Sequence, residues 1–344
     1  MVKIFAAGYF GYGNFGDELI LKIFKERVPP EFIVSHVRKM ARRPVQTFLC
    51  VLRSDCLVFP GGSVFQDETS LGSALFYCCL VLTAQIFKKK VFLLDQGFEI
   101  KNPFLKYLLS GILKNASMIS TRDEASFRAL KQLGLHPLRS ADSIFQVQAG
   151  RRKVRFPPEK IGIIPRGAYE IWEKIIRQTK ERWPRASYEI AVMSADDLAL
   201  ARKISERNHI GQTEILRITS INEITDTADL LILAPYHSAL CAVTGGIPFI
   251  AVPYSAKIKN FLLENNFREN IFVSEIDDNI FKKAGATGNS CKIAEETSFQ
   301  IFLNLLKFCN KEKSGVWQRM VPDGAINPRS LTECPQDCRS EPQT

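Results

Sequence analysis

The chain has 344 residues, 46% hydrophobic and 24% charged, with 46 Lys+Arg against 36 Asp+Glu and a net charge of +10. That composition excludes a disordered, collagenous or small disulfide-stapled chain and leaves room for about two domains. The basic clusters (Arg38, Lys39, Arg42, Arg43; Lys88, Lys89, Lys90; Arg151, Arg152, Lys153, Arg155) lack the interleaved aromatics of a single-strand or RNA platform, so no nucleic-acid partner is expected.

In chain order, the first half alternates β-rich runs with helical patterns. Strands are predicted over Val2–Ala7, Phe32–His36, Cys56–Phe59, Val91–Asp95, Met118–Thr121 and Arg139–Asp142. Helices are predicted over Glu18–Arg27, Leu71–Phe87, Asn102–Lys114 and Glu124–Leu133. Thr69–Phe87 carries no charge and precedes three lysines; its length and polar residues suit a buried helix better than a membrane span. Gly150–Pro158, basic and ending in a double proline, interrupts the alternation and marks the boundary between an N-terminal domain, 1–150, and a C-terminal domain, 151–310. Beyond it, strands are predicted over Lys160–Ile164, Ser187–Met193, Glu214–Arg217, Leu230–Ala234 and Phe249–Pro253. The helices between them fall at Glu170–Arg182, Asp196–Glu206, Ser238–Thr244 and Lys257–Asn265, with Ala294–Cys309 closing the domain. Residues 311–344 show no periodicity and read as a disordered tail. The expected fold is α/β: two doubly wound, Rossmann-like domains facing a cleft in a GT-B-like architecture, with ligands at the carboxyl ends of the strands.

The nine cysteines are odd in number and lie largely in apolar runs, the usage of a reducing cytoplasm. Cys334 and Cys338 have no second pair or histidine cluster beside them, so no metal is expected. The apolar opening is too short for a signal peptide. The expectation is a cytoplasmic protein, with peripheral attachment at the inner face of the membrane left open and the oligomeric state unread.

After the first strand comes Gly8-Tyr9-Phe10-Gly11-Tyr12-Gly13-Asn14-Phe15-Gly16-Asp17-Glu18. Gly11, Gly13 and Gly16 fit the dinucleotide spacing, but the second strand ends Ser35-His36-Val37-Arg38, without the ribose-binding acid. Arg38 would suit the 2′-phosphate of NADP, whereas Asp17 and Glu18 would repel a pyrophosphate.

Other words follow at the ends of later strands: Pro60-Gly61-Gly62-Ser63 with Gln66-Asp67, Gln96-Gly97, Arg122-Asp123-Glu124-Ala125-Ser126 and Ala141-Asp142. The second half adds Ile164-Pro165-Arg166, Ser194-Ala195-Asp196-Asp197, His237-Ser238-Ala239-Leu240, Gly246-Ile247-Pro248 and Tyr254-Ser255-Ala256-Lys257. Together with Asn14-Phe15-Gly16-Asp17-Glu18 these resemble the polysaccharide pyruvyltransferase family, the CsaB-like enzymes, over roughly residues 1 to 265. Pro60 replaces a family glycine, Pro235 an arginine and Ser255 an aspartate.

The resemblance implies transfer of the enolpyruvyl unit of phosphoenolpyruvate, a co-substrate and not a cofactor, onto two hydroxyls of one sugar. The products are a cyclic pyruvate ketal and phosphate, and the acceptor is a sugar or lipid-linked saccharide of a cell-surface polymer precursor. It implies that Arg122 and Arg166 hold the anionic donor and that His237 moves protons. Lys257, or an arginine of the basic clusters, is then the cation to replace the one missing at Pro235. Asn14, Gly16, Asp17, Gln66 and Asp67 would shape the acceptor side, and Gly61, Gly62 and Ser63 would offer N–H groups to an anion. A GT-B type glycosyltransferase using a nucleotide-sugar donor and a non-catalytic sugar-binding homologue are the alternatives. The mechanism expects Arg122, Arg166 and His237 to converge on one cleft.

Overall fold

The computed structural model describes residues 1–67, 70–147, 154–210, 215–220, 222–225, 228–272, 276 and 295–307. The expected boundary at 150/151 and the expected tail at 311–344 lie outside the described residues. The chain divides into two compact units, Met1–Leu303 and Asn304–Thr344. Of the second, residues 304–307 are described and are helical.

The first unit holds two parallel sheets. In chain order the first half runs β1 (Val2–Ala6), α1 (Phe15–Arg27), β2 (Phe32–His36), α2 (Pro44–Arg53), β3 (Cys56–Phe59), β4 (Gly62–Gln66), α3 (Leu71–Ile86), β5 (Lys90–Glu99), α4 (Pro103–Leu113), β6 (Met118–Thr121), α5 (Glu124–Gln132) and β7 (Leu138–Arg139). Its strand order is β2-β1-β3-β5-β6-β7, with β4 pairing β5 off that path. The second half runs β8 (Lys160–Ile164), α6 (Tyr169–Arg182), β9 (Ser187–Val192), α7 (Leu198–Arg207), β10 (Leu216–Arg217), α8 (Asn222–Thr225), β11 (Leu230–Leu233), α9 (Tyr236–Gly245), β12 (Phe249–Ala251) and α10 (Ala256–Glu264). Its order is β10-β9-β8-β11-β12. The uninterrupted apolar runs of β3 and β11 are buried along their whole length, as strands covered on both faces must be.

Each sheet reverses its strand order at one place, between β1 and β3 in the first and between β8 and β11 in the second. At such a point the connections leave to opposite faces and open a crevice at the carboxyl ends. The segments that follow β1, β3, β8 and β11, each a turn and the start of the next element, are those that carry Asn14–Asp17, Gly61–Gln66, Arg166 and His237.

The two halves share apolar packing. Phe15, Leu19, Ile20 and Ile23 of α1 sit in one buried cluster with Leu231, Leu233, Tyr236 and Leu240 of the second half, and Phe15 donates its N–H to the Met193 carbonyl at 3.0 Å. Farther along, residues 295–303 are helical and return to the first half. Arg27 pairs with Glu295 at 2.5 Å and Glu296 at 2.8 Å, and Phe302 packs edge-on against Phe92 of β5.

Three elements lay outside the sequence expectation: α2, β4 and the single-turn α8. Helix α2 begins at Pro44 straight after the basic Arg42 and Arg43, and the charge there masked its apolar face. Strand β4 follows β3 after only two residues, because Gly61 and Gly62 take φ of +147° and +94° and fold the chain sharply. The predicted strand at Arg139–Asp142 is the shorter Leu138–Arg139, since Asp142 caps a single 3-10 turn at Ser143–Gln146. Position 214, within the predicted strand Glu214–Arg217, lies outside the described residues. Helix α3 corrects another expectation: it is buried only on its inner side, and Ile86 at its end is 73% exposed.

Candidate functional site

Helix α1 starts at Asn14, whose side chain accepts the Gly16 N–H at 3.2 Å. The Gly11 N–H donates to the Glu18 carboxylate at 2.5 Å, so the glycine loop satisfies itself where a dinucleotide fingerprint would greet a pyrophosphate. The His237 imidazole lies directly on Gly16: a Cβ there would fall 1.9 Å from its Nδ1. Glycine is required here by the close approach of that ring, not by backbone torsion.

His237 is the second residue of α9, the helix that follows β11 at the second sheet's switch point. Its Nε2 is buried and has no hydrogen-bond partner among the described residues. Burial, and then the charges of Lys257, Arg122 and Arg166, push its pKa well below the usual histidine value. The resting imidazole is therefore neutral at physiological pH.

The ring faces a cavity of about 900 Å³ lined also by Asn14, Asp17, Gly62, Ser63, Gln66 and Lys257. Burial raises the Asp17 carboxyl to about 6, against the opposing charges of Lys257 and Arg122. Burial and the neighbouring Arg122 lower the Lys257 ammonium to about 7, with Asp17 pulling the other way. Both shifts bring the two groups toward neutrality from opposite sides. Ser63 accepts from Lys257 Nζ at 3.4 Å and from Arg122 at 2.7 Å, so one hydroxyl ties the first half to α10 of the second.

The structure gathers His237, Asp17, Lys257, Asn14, Gly62, Ser63 and Gln66 around this space, with Gly16 under the imidazole. Arg122 is not on its wall. The side chain is fully enclosed, donates to Asp142 at 2.8 Å and lies over the Tyr236 ring at 4.6 Å, behind Ser63. Its charge reaches the cavity through that hydroxyl and through the field it exerts on His237 and Lys257. Arg166 is also one residue removed, held by a two-pronged pair with Asp197 at 2.9 and 2.7 Å and reaching the wall residue Tyr254 at 3.5 Å. The three groups expected to converge thus surround one site at different depths, with only His237 on the cavity wall. Asp67 turns away: it accepts the Lys101 N–H at 3.0 Å and the Asn102 N–H at 2.5 Å. Burial raises its pKa, but those backbone donors outweigh burial and leave it lowered. Gly61 makes the turn and its space is filled by Ile20 at 3.0 Å.

Pro235 caps α9 with its carbonyl, which accepts the Ser238 N–H at 3.0 Å, and brings no charge. The Lys257 ammonium lies 4.6 Å over the Tyr236 ring, as does the Arg122 guanidinium. The sequence reading missed Tyr236, hidden in an apolar run, and the roles of Asp142 and Asp197, which it met as motif letters without their arginine partners. It also missed Ser70, the cap of α3, and Ser73 and Tyr77 of α3, which line the same cavity.

The chain matches the sequence model of the family described as polysaccharide pyruvyl transferase over residues 14–256. It belongs to that family. The matched span begins at the cap of α1 and ends one residue before Lys257, so it takes in the loops of both switch points. No curated protein is a significant sequence match. Among solved structures, the family member resembles a UDP-N-acetylglucosamine 2-epimerase with a TM-score of 0.51 and 11% identity, covering 95% of this chain and 99% of that one. It also resembles S. aureus MnaA, solved with UDP, with a TM-score of 0.50 and 8% identity, covering 87% of this chain and 91% of that one. At such identities the likeness is one of fold, and the fold is the GT-B-like α/β architecture.

Proposed function

We propose that this transferase-family chain moves the enolpyruvyl unit of phosphoenolpyruvate onto a sugar of a cell-surface polysaccharide precursor, forming a pyruvate ketal. The observation that carries the reading is the neutral, enclosed His237, its Nε2 unpartnered, facing a cavity that also presents Lys257 and Ser63. A polyanionic donor suits a pocket in which buried cations already repel a proton from histidine. Lys257 and the Ser63 hydroxyl hold the donor's phosphate or carboxylate, and Arg122 and Arg166 supply field from behind.

His237 takes the proton of the first attacking sugar hydroxyl as its oxygen bonds to C2 of the donor. The C3 methylene becomes a methyl by accepting a proton from the Asp17–Lys257 pair. The second hydroxyl then displaces phosphate at C2, its proton leaving with the phosphate, the cyclic ketal closes, and His237 returns its proton to solvent as the Asp17–Lys257 pair takes one up. The donor's own negative charge raises the affinity of His237 for its proton, so the base strengthens only when the donor is bound. Asn14, Gln66, Ser70 and Ser73 present short polar groups to the acceptor.

Donor choice is tested by thermal-shift titration of the whole chain. Stabilisation by phosphoenolpyruvate, weakened in Lys257→Met, is the expected outcome. Stabilisation by a UDP-sugar with none by phosphoenolpyruvate would transfer the reading to glycosyl transfer. Stabilisation by a saccharide alone would mark a sugar-binding protein.

A further inference from the structure

Helices α2, α3 and α4 lie side by side on one face of the first sheet: the Phe48 and Phe76 rings meet at 6.1 Å, and Gln85 donates to the Ile112 carbonyl at 2.6 Å. Their outer side is apolar. Val45 is 74% exposed on α2, Ile86 73% at the end of α3, and Phe104 and Tyr107 59% and 80% on α4. Along α3 the stripe Leu71, Leu75, Cys79, Leu82 and Ile86 keeps helical spacing and is partly or fully open to solvent.

The charge carried by these helices and their near flanks has one sign. Segments 38–54, 70–94 and 100–117, which hold the three helices and their flanks, contain eleven lysines and arginines and no acidic residue. Because each helix runs back from the carboxyl ends of a parallel sheet to its amino ends, Arg53, Lys88–Lys90 and Lys114 gather at one end of the face. Arg42, Arg43 and Lys101 gather at the other. Eleven of the molecule's 46 basic residues thus lie in the segments that build this face, with no acidic residue among them.

We propose that this face is the docking surface for an anionic lipid bilayer. Exposed aromatics flanked by lysines enter the headgroup region, where the apolar body is buried and the cations meet lipid phosphate. Among the described residues no helix is long and apolar enough to cross a membrane, so the contact is peripheral. The face is continuous with the site: Ser70, Ser73 and Tyr77 at the start of α3 line the cavity, while Leu71 and Leu75 beside them point outward. On the pyruvyl-transfer reading, this presents the acceptor side of the cavity to a saccharide whose lipid anchor stays in the bilayer. The surface claim itself does not depend on that reading.

The test is flotation of the full chain with phosphatidylcholine vesicles containing about 30 mol % phosphatidylglycerol, against phosphatidylcholine alone. The wild type floats with the anionic vesicles, less so at high salt. Lys88→Glu/Lys89→Glu/Lys90→Glu weakens binding by at least about 100-fold, at about fivefold for each positive charge lost. Phe104→Ser/Tyr107→Ser weakens it independently of salt, and thermal melts confirm that both variants are folded. Failure of the wild type to bind, equal binding by the charge variant, or a lipid-free dimer dissolved by Phe104→Ser/Tyr107→Ser would overturn the proposal. Turnover of phosphoenolpyruvate on a water-soluble saccharide separates the two readings. Vesicle binding as described with no turnover in any form would leave the surface standing and defeat the chemistry.

Discussion

Gly16→Ala is the sharpest perturbation of the site. The new Cβ would stand 1.9 Å from His237 Nδ1, 2.2 Å from Cε1 and 2.3 Å from Cγ. Restoring ordinary contact of about 3.5 Å requires the ring to retreat by about 1.5 Å. Overpacking of this kind costs about 1–3 kcal/mol. Alanine returns up to about 1 kcal/mol through its better helix propensity at a position whose torsion suits it. The net loss is therefore small, a Tm fall of a few degrees. Activity suffers more on the proposed chemistry, because displacing the base by more than 1 Å lowers turnover by about 100-fold. Thermal melts and phosphate-release kinetics on Gly16→Ala, His237→Ala and the double variant form a cycle. If the ring is the obstruction, truncating it relieves the strain, and the double variant is more stable than the sum of the single effects by about 1 kcal/mol or more. Simple additivity, or wild-type activity in Gly16→Ala, would refute the argument that the imidazole rests on this helix start.

Lys257→Met changes the pH dependence of stability. Between about pH 7 and the ordinary lysine value of 10.5 the unfolded chain holds a proton that the folded chain has shed, so wild-type stability rises with pH across that window. The variant lacks that rise and is the more stable of the two at pH 7 in urea titrations, while losing donor affinity. Arg122→Met strands Asp142 without its partner in the interior and costs about 3–5 kcal/mol, read as a fall in the urea midpoint at unchanged m-value. Asp67→Ala removes the acceptor for the Lys101 and Asn102 N–H groups, lowering stability by about 1 kcal/mol with kcat unchanged.

Alternation of apolar runs and helical patterns was enough to read two parallel sheets, because strands such as Leu230–Leu233 are buried on both faces and need no tertiary context to be seen. The loops at the switch points were legible too, since glycine, proline and short polar residues are what sharp strand-to-helix turns demand. Depth within the site was not legible. Whether Arg122 touches a ligand or stands behind Ser63 depends on Asp142, twenty residues away and brought beside it only by the sheet. Asp67 and Asp17 look alike as letters, yet one is spent on backbone donors and the other is buried at the cavity. The charge excess likewise had no address until α2, α3 and α4 were seen to share a face.

On the proposed chemistry, His237 acts as the base in pyruvyl transfer. The most direct test is turnover of phosphoenolpyruvate with saccharide acceptors by wild type and His237→Gln, following phosphate and the methyl signal of the ketal together. The wild type should release one phosphate for each ketal formed. His237→Gln should fall by about 10²–10⁴-fold in kcat while still binding the donor. Undiminished turnover in His237→Gln, or a folded wild type that releases no phosphate with any acceptor, would contradict the account.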